Sequence, residues 1–253
     1  MLLWCIIGQV LRFLADLPDY LLWKKDCASL EGAAEQGTAL SRDKESKMKV
    51  YGHPLSINVQ KVMWLIDELD LSIALEEVDI HHNRHDAQAV AQRCPMRQVP
   101  VLEDGPNSVW ESHTILRYLV ACYGNKMWYP DCAFQRSCYE RWMDWCLSSF
   151  QPVIKAALFA STPDGSDEGQ AKQRAMEQCR YELERVNDAL DDQLYLTSDR
   201  MTLADIAVGS LIHCLSQQSD WVLPPNVSRW YQQLSDRPGY QRWVMQAAST
   251  LPT

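Results

Sequence analysis

From Met48 onward the hydrophobic and polar positions follow regular periods, and the period changes partway along the chain. "MKVYG" (48–52) is a short apolar run closed by Gly52 and reads as a strand. Val59, Val62, Met63, Ile66 and Leu69 recur at helical spacing and predict a helix over 57–69. "IALEEVDI" (73–80) alternates and predicts a strand, "HHNRHD" is a polar loop, and 86–93 has the length of a short helix. "QVPVLEDG" (98–105) is a strand broken at its start by Pro100. The turn residues Asp104-Gly105-Pro106-Asn107 separate it from a further strand at 108–110. "ESHTILRYLVACYG" is a helix with Gly124 placed as a C′ glycine. The order βαβα then ββα predicts a small mixed sheet with helices on its faces.

After about residue 130 no strand pattern survives. The stretches 133–159, 168–194, 202–217 and 227–246 each read as helical, with a loop at 161–169. The fold class expected is therefore an α/β N-terminal domain over 48–127 followed by an all-α helical bundle over 128–253. Residues 1–47 differ from both. "MLLWCIIGQVL" is apolar but only about half the ~20 residues of a membrane-spanning helix, and Arg12, Asp16 and Pro18 soon interrupt it. It lacks the positive leader of a signal peptide. With the polar stretch 28–47 behind it, this segment is expected to be a loosely attached extension.

Composition narrows the function. Hydrophobic residues make up 47% of the 253, enough for a packed core. A net charge of −9 argues against a nucleic-acid surface and against an anionic membrane as partner. The nine cysteines show no zinc-knuckle or redox-dithiol spacing, and their odd number reads as reduced, intracellular thiols. His81, His82 and His85 cluster in one loop, but no fourth ligand has metal-site spacing, so no metal is expected and a solvated loop is preferred.

Several residues stand at helix starts, where structural and chemical roles compete. Ser56 directly precedes the 57–69 helix and suits an N-cap. Asn58 lies in the first turn, where its amide can satisfy local backbone. Glu111 and Ser112 open the next helix, either as an ordinary cap or as part of an anion site. Thr202 and Asp205 have capping-box spacing and are assigned to folding. Trp142 and Trp145 lie one helical turn apart and either join the core or line an apolar pocket.

"YGHPLSINVQKVMWLIDELDL", "CPMRQVPVLEDG", "VWESHTILRYL" and "RMTLADIAVG" together resemble the soluble glutathione transferases of the serine type, bacterial forms in particular. The resemblance runs from Met48 to about Trp243 and leaves out the extension. It implies a thioredoxin-like N-terminal domain, a helical C-terminal domain and a cytoplasmic homodimer. Glutathione would be the cosubstrate, with no further cofactor. A free thiol with a pKa near ~8.5 is mostly protonated at neutral pH, so the protein must favour the thiolate. The resemblance assigns that task to Ser56, with Asn58 as a second donor used by relatives that reduce disulfides. Tyr51, which could evoke the tyrosine-type classes, reads as packing. The resemblance implies that Val99 offers its backbone to the cysteinyl part of glutathione beside a cis Pro100. It places Gln98 and His85 at the glycyl carboxylate, and Glu111 and Ser112 at the γ-glutamyl end. Trp142 and Trp145 would line the site of an apolar electrophile. Cys94 stands where the family usually has asparagine, which puts the local loop geometry in question. Conjugation is the leading expectation. A glutathione-dependent disulfide oxidoreductase and a non-catalytic binding or regulatory protein of the same fold are the alternatives.

Overall fold

The computed structural model describes residues 48–159, 167–218 and 221–246. The extension over 1–47 and most of the loop expected at 161–169 lie outside them. Strands β1 (Lys49–Gly52), β2 (Ala74–Glu77), β3 (Val101–Asp104) and β4 (Asn107–Trp110) form one sheet in the order β2-β1-β3-β4. β1 and β2 are parallel and joined through helix α1 (Ile57–Glu68), while β1-β3 and β3-β4 are antiparallel. Helix α2 (Arg84–Ala91) links β2 to β3, and α3 (Ser112–Cys122) follows β4. This is the small mixed sheet expected from the strand and helix order, in the thioredoxin-like arrangement that the resemblance implies.

The sheet separates two apolar clusters, and the pleat decides which residue joins which. Val50 pairs with Leu102, and both face the main core; Tyr51 pairs with Val101, and both face a smaller cluster with Val78, Val90 and Cys94. Tyr51 is therefore packing, as expected, with the Arg93 guanidinium 4.5 Å from its ring centre. Cys94 is buried in the same cluster, so the loop accommodates a thiol as a small hydrophobe.

Helix α1 is enclosed on nearly every side: Val59 through Ile66 are all buried. A helix buried all round belongs between layers rather than on a surface, and α1 lies between the sheet and the helical domain. Trp64 packs edge-to-face on Tyr240 at 4.8 Å and donates its indole N–H to Glu68 at 2.8 Å. Glu68 also accepts two bonds from Arg237. The tight entry to α1 needs Gly52, because a Cβ there would lie 2.4 Å from Val59 Cγ2.

In the helical domain α4 (Ala133–Trp145) runs through a π turn (Cys146–Phe150) into α5 (Gln151–Phe159). Then come α6 (Asp167–Ala189), α7 (Leu203–Ser216), α8 (Pro225–Ser235) and the single turn α9 (Pro238–Tyr240), extended by a second π turn (Gln241–Met245). Helix α7 is buried along almost its whole length and forms the centre of this domain. Three local expectations are corrected. The helix expected over 227–246 breaks after Ser235, because Pro238 cannot continue it. The chain is already helical at Asp167, inside the expected loop. Gly124 follows the C-cap Tyr123 as expected, but it is not left-handed. A Cβ at Gly124 would lie 2.5 Å from the Val120 carbonyl oxygen, so glycine is required there for space. Among the described residues no helix is long and apolar enough to cross a membrane.

Candidate functional site

A cleft of about 600 Å³ opens where the start of α1 meets the loop after β2 and the segment before β3. Its wall includes His53, Leu55, Ser56, Asp79, Gln98 and Val99. Lys155 of α5 reaches the same cleft from the helical domain.

The turn entering α1 is fixed without using the Ser56 hydroxyl. Ser56 N–H donates to the His53 carbonyl at 2.9 Å, and Leu55 N–H donates to His53 Nδ1 at 3.2 Å. The Gln60 side-chain amide donates to the Pro54 carbonyl at 3.1 Å. Ser56 occupies the N-cap position, with φ −75° and ψ 118°, yet its side chain makes no capping bond. A hydroxyl at an N-cap ordinarily accepts from a first-turn N–H. Here it stays available on the cleft wall, above a helix end whose unpaired N–H groups and dipole favour an anion.

Val99 and Pro100 are joined by a cis peptide bond. Val99 has no backbone hydrogen bond to the rest of the chain among the described residues, so both of its polar groups remain open just before β3, at the end of an inner strand. An extended peptide backbone can pair with such open backbone groups. Glu111 is a non-glycine residue at φ 69°, an unfavourable left-handed conformation of the kind that gathers at ligand sites. It precedes Ser112, which is buried at the first position of α3. Neither residue is on the wall of the cleft.

Asp79 organises the loop at the cleft's outer rim. It accepts from the backbone N–H groups of His81 and His82 at 3.0 Å each and contacts His82 Nδ1 at 2.9 Å. The His82 backbone bond is the first cause of an Asp79 pKa below its ordinary value. His81 and His82 lie on the cleft wall, whereas His85 is exposed on the first turn of α2 and outside it. Asn83 explains the displacement, because its side chain caps α2 by accepting His85 N–H at 2.9 Å and so fixes His85 as a helical residue. His53, which carried no expected role, lies on the wall instead; its nearness to the helix start in "YGHPLS" was the available signal.

Trp142 and Trp145 are also absent from this wall. They meet edge-to-face at 5.3 Å, and Trp145 stacks on Phe150 at 4.9 Å. Both are half-buried rings packed on the main core, which accounts for their spacing without a ligand. Asn58 is the second residue of α1, in its first turn, with its carbonyl oxygen accepting from Lys61 at 3.2 Å and from Gln151 at 3.4 Å.

Comparison with known proteins agrees with this architecture. Residues 46–121 match the model of the glutathione S-transferase N-terminal domain, and residues 142–238 match that of its C-terminal domain. Glutathione S-transferase GstB of Escherichia coli is 33% identical over 210 residues, covering 78% of this chain and 97% of that protein. Glutathione S-transferase 3 of Zea mays is 28% identical, covering 81% and 96%. Among solved structures, a theta class glutathione S-transferase from Xanthomonas axonopodis pv. citri with glutathione bound is 33% identical, with a TM-score of 0.70 and coverage of 78% and 97%. The chain belongs to the glutathione S-transferase family, and its class of enzyme is glutathione transferase.

Proposed function

We propose that the cleft binds glutathione with its sulfur at the Ser56 hydroxyl and the N-terminus of α1, and transfers it to an electrophilic carbon. The observation that carries this reading is the Ser56 hydroxyl, placed at a helix start on the cleft wall and not spent on capping. The thiol proton leaves to solvent, and Ser56 donates a hydrogen bond to the remaining thiolate. The sulfur attacks the carbon, a thioether bond forms, and the displaced group departs with its electron pair or the adduct takes up a proton. The protein's contribution is to position the thiolate and stabilise its charge.

The remaining contacts combine open groups of the cleft wall with residues beyond it that the family resemblance assigns. The backbone of Val99, held beside Pro100, pairs with the cysteinyl backbone. Gln98 takes the glycyl carboxylate, with His53 the nearer imidazole and His85 the more distant one. Glu111 and Ser112 take the γ-glutamyl ammonium and carboxylate. Leu55 and Lys155 face the electrophile, and Trp142 and Trp145 support that side from the core. The enzyme acts as a cytoplasmic homodimer, for which sedimentation at micromolar concentration is the test; a strict monomer would contradict it.

Reduction of a mixed disulfide is the second reading, and Asn58 is the observation that favours it. Its Nδ2 has no acceptor among the described residues, so a second donor is available in the same turn. A steady-state panel separates the two readings: a chlorinated aromatic, an isothiocyanate, a hydroperoxide and a mixed disulfide. Conjugation of the carbon electrophiles is expected to dominate. Turnover of the disulfide alone would overturn the first reading in favour of the second, and no turnover with bound glutathione would leave a binding protein.

A further inference from the structure

Lys61 is buried in the middle of α1 and has no carboxylate partner among the described residues. Its Nζ lies 3.2 Å from Asn58 Oδ1, 3.2 Å from Gln151 Oε1 and 3.4 Å from His113 Nε2. These partners come from α1, from α5 across the domain boundary, and from α3. An ammonium has three N–H donors and no acceptor, so three neutral acceptors satisfy it geometrically. A buried lysine amine held by neutral groups alone is costly.

The orientation of Asn58 follows from this cluster. Because Lys61 donates to Gln151 Oε1, the Gln151 amide nitrogen must point elsewhere, and it points to Asn58 Oδ1 at 3.4 Å. Asn58 Oδ1 then accepts from two donors, and its Nδ2 is turned away from both. The assignment survives a change in the charge of Lys61. As an ammonium it donates to all three partners. As a neutral amine it still donates to the two amides and accepts from His113 in the other imidazole tautomer. Burial favours that neutral form, lowering the Lys61 pKa; among nearby groups Cys146 of the π turn opposes the shift and Lys155 of α5 adds to it. His113 faces Lys61 and Arg117, and burial followed by these two charges pushes its pKa down to about 2.

We propose that Lys61 is a positioning residue for glutathione activation: with Gln151 it holds the Asn58 carbonyl inward, so that the Asn58 amide N–H group is the donor presented to the sulfur beside Ser56. The proposal rests on the reading of the cleft as the glutathione site. It makes the donor set depend on the boundary between domains, because Gln151 belongs to the helical domain and Asn58 to the thioredoxin-like one.

The test is a double-variant cycle on the ionisation of bound glutathione, followed through thiolate absorbance against pH. Lys61→Met and Asn58→Ala should each raise the apparent pKa of the bound thiol, and the double variant should raise it no further than Asn58→Ala alone. Each single change should lower kcat/KM on the order of 10-fold to 100-fold. Glutathione Kd by calorimetry should stay within a factor of about three. Lys61→Gln, which keeps a donor, should recover part of the shift. Gln151→Met decides the matter if Lys61→Met does not fold, and a smaller shift in the same direction is expected. An unchanged titration in these variants, or shifts that add independently to that of Asn58→Ala, would overturn the proposal while leaving the glutathione site in place. A wild-type complex whose thiol titrates like free glutathione would overturn the functional reading itself, and this proposal with it.

Discussion

Among the described residues two helix N-caps carry a hydroxyl, Ser56 and Thr202, and the two hydroxyls have different fates. At the start of α7 Thr202 accepts Ala204 N–H, and Asp205 reaches back to Thr202 N–H at 2.8 Å, which completes a capping box. Asp205 is fully buried and also accepts from Leu196 N–H at 2.9 Å and from the Trp230 indole at 3.1 Å. At the start of α1 the entering turn is held by His53 and Gln60, and Ser56 caps nothing. A hydroxyl at a helix start thus serves folding when local backbone groups consume it. It becomes available for chemistry when other residues have already fixed the turn. The unfilled end opens on a cleft and the filled end sits in the core.

Four changes break or sharpen this contrast. The largest effect is expected at Asp205. Asp205→Ala strands two backbone N–H groups and an indole N–H in the core, and should destabilise the fold by about 3–5 kcal/mol. Chemical denaturation showing a loss below about 1 kcal/mol would mean that water replaces the carboxylate and that the box is not the anchor of α7.

A second test uses the opposite pH responses of two buried groups. His113 is kept neutral, with its pKa pushed from 6.5 to about 2 by burial and by the Lys61 and Arg117 charges. Below pH 6.5 the unfolded chain binds a proton that the folded chain refuses, so stability falls as pH drops from 6.5 toward 2. The slope from this one group is up to ~1.4 kcal/mol per pH unit. Asp205 acts in the opposite sense, because burial raises its pKa from 3.8 to about 6. Its contribution is fully present below 3.8 and is lost as pH rises through 6. His113→Asn keeps Asp205 and should therefore flatten the acid fall in urea midpoints. Equal slopes in the wild type and the variant would contradict the neutral, buried imidazole.

The two smaller effects compare the hydroxyls directly. Thr202→Ala should cost about 1 kcal/mol, as for other side chains that cap. Ser56→Ala should change stability by only about a few tenths of a kcal/mol, because no capping bond is lost. A cost for Ser56→Ala equal to that of Thr202→Ala would show that both hydroxyls are caps in solution.

Much of this could be read from the sequence wherever the signal is local. The strands, α1, α3 and the Thr202–Asp205 box follow from periods and spacings a few residues long. So does Tyr51, whose alternation with Val50 puts it on the far face of the sheet. What the sequence did not reveal depends on distant pairings. Lys61 reads as one more polar residue of an amphipathic helix, because two of its three partners lie 52 and 90 residues away. The exclusion of His85 from the cleft depends on Asn83 capping α2, and Trp142 and Trp145 turn to the core through Phe150. The two π turns leave no distinct composition, and the break before Pro238 was masked by the helical period on either side of it. Family resemblance pointed to Ser56, but only the geometry shows that its hydroxyl is unspent.

The most direct test of that claim is to titrate the glutathione thiol in complexes of the wild type and Ser56→Ala, with melting curves recorded on the same samples. The wild-type complex should ionise below the free thiol. The variant should ionise at higher pH and turn over on the order of 10-fold to 1000-fold more slowly, with glutathione affinity and melting temperature nearly unchanged. An identical thiol titration and equal turnover, together with a clear fall in melting temperature, would contradict the account and make Ser56 a helix cap like Thr202.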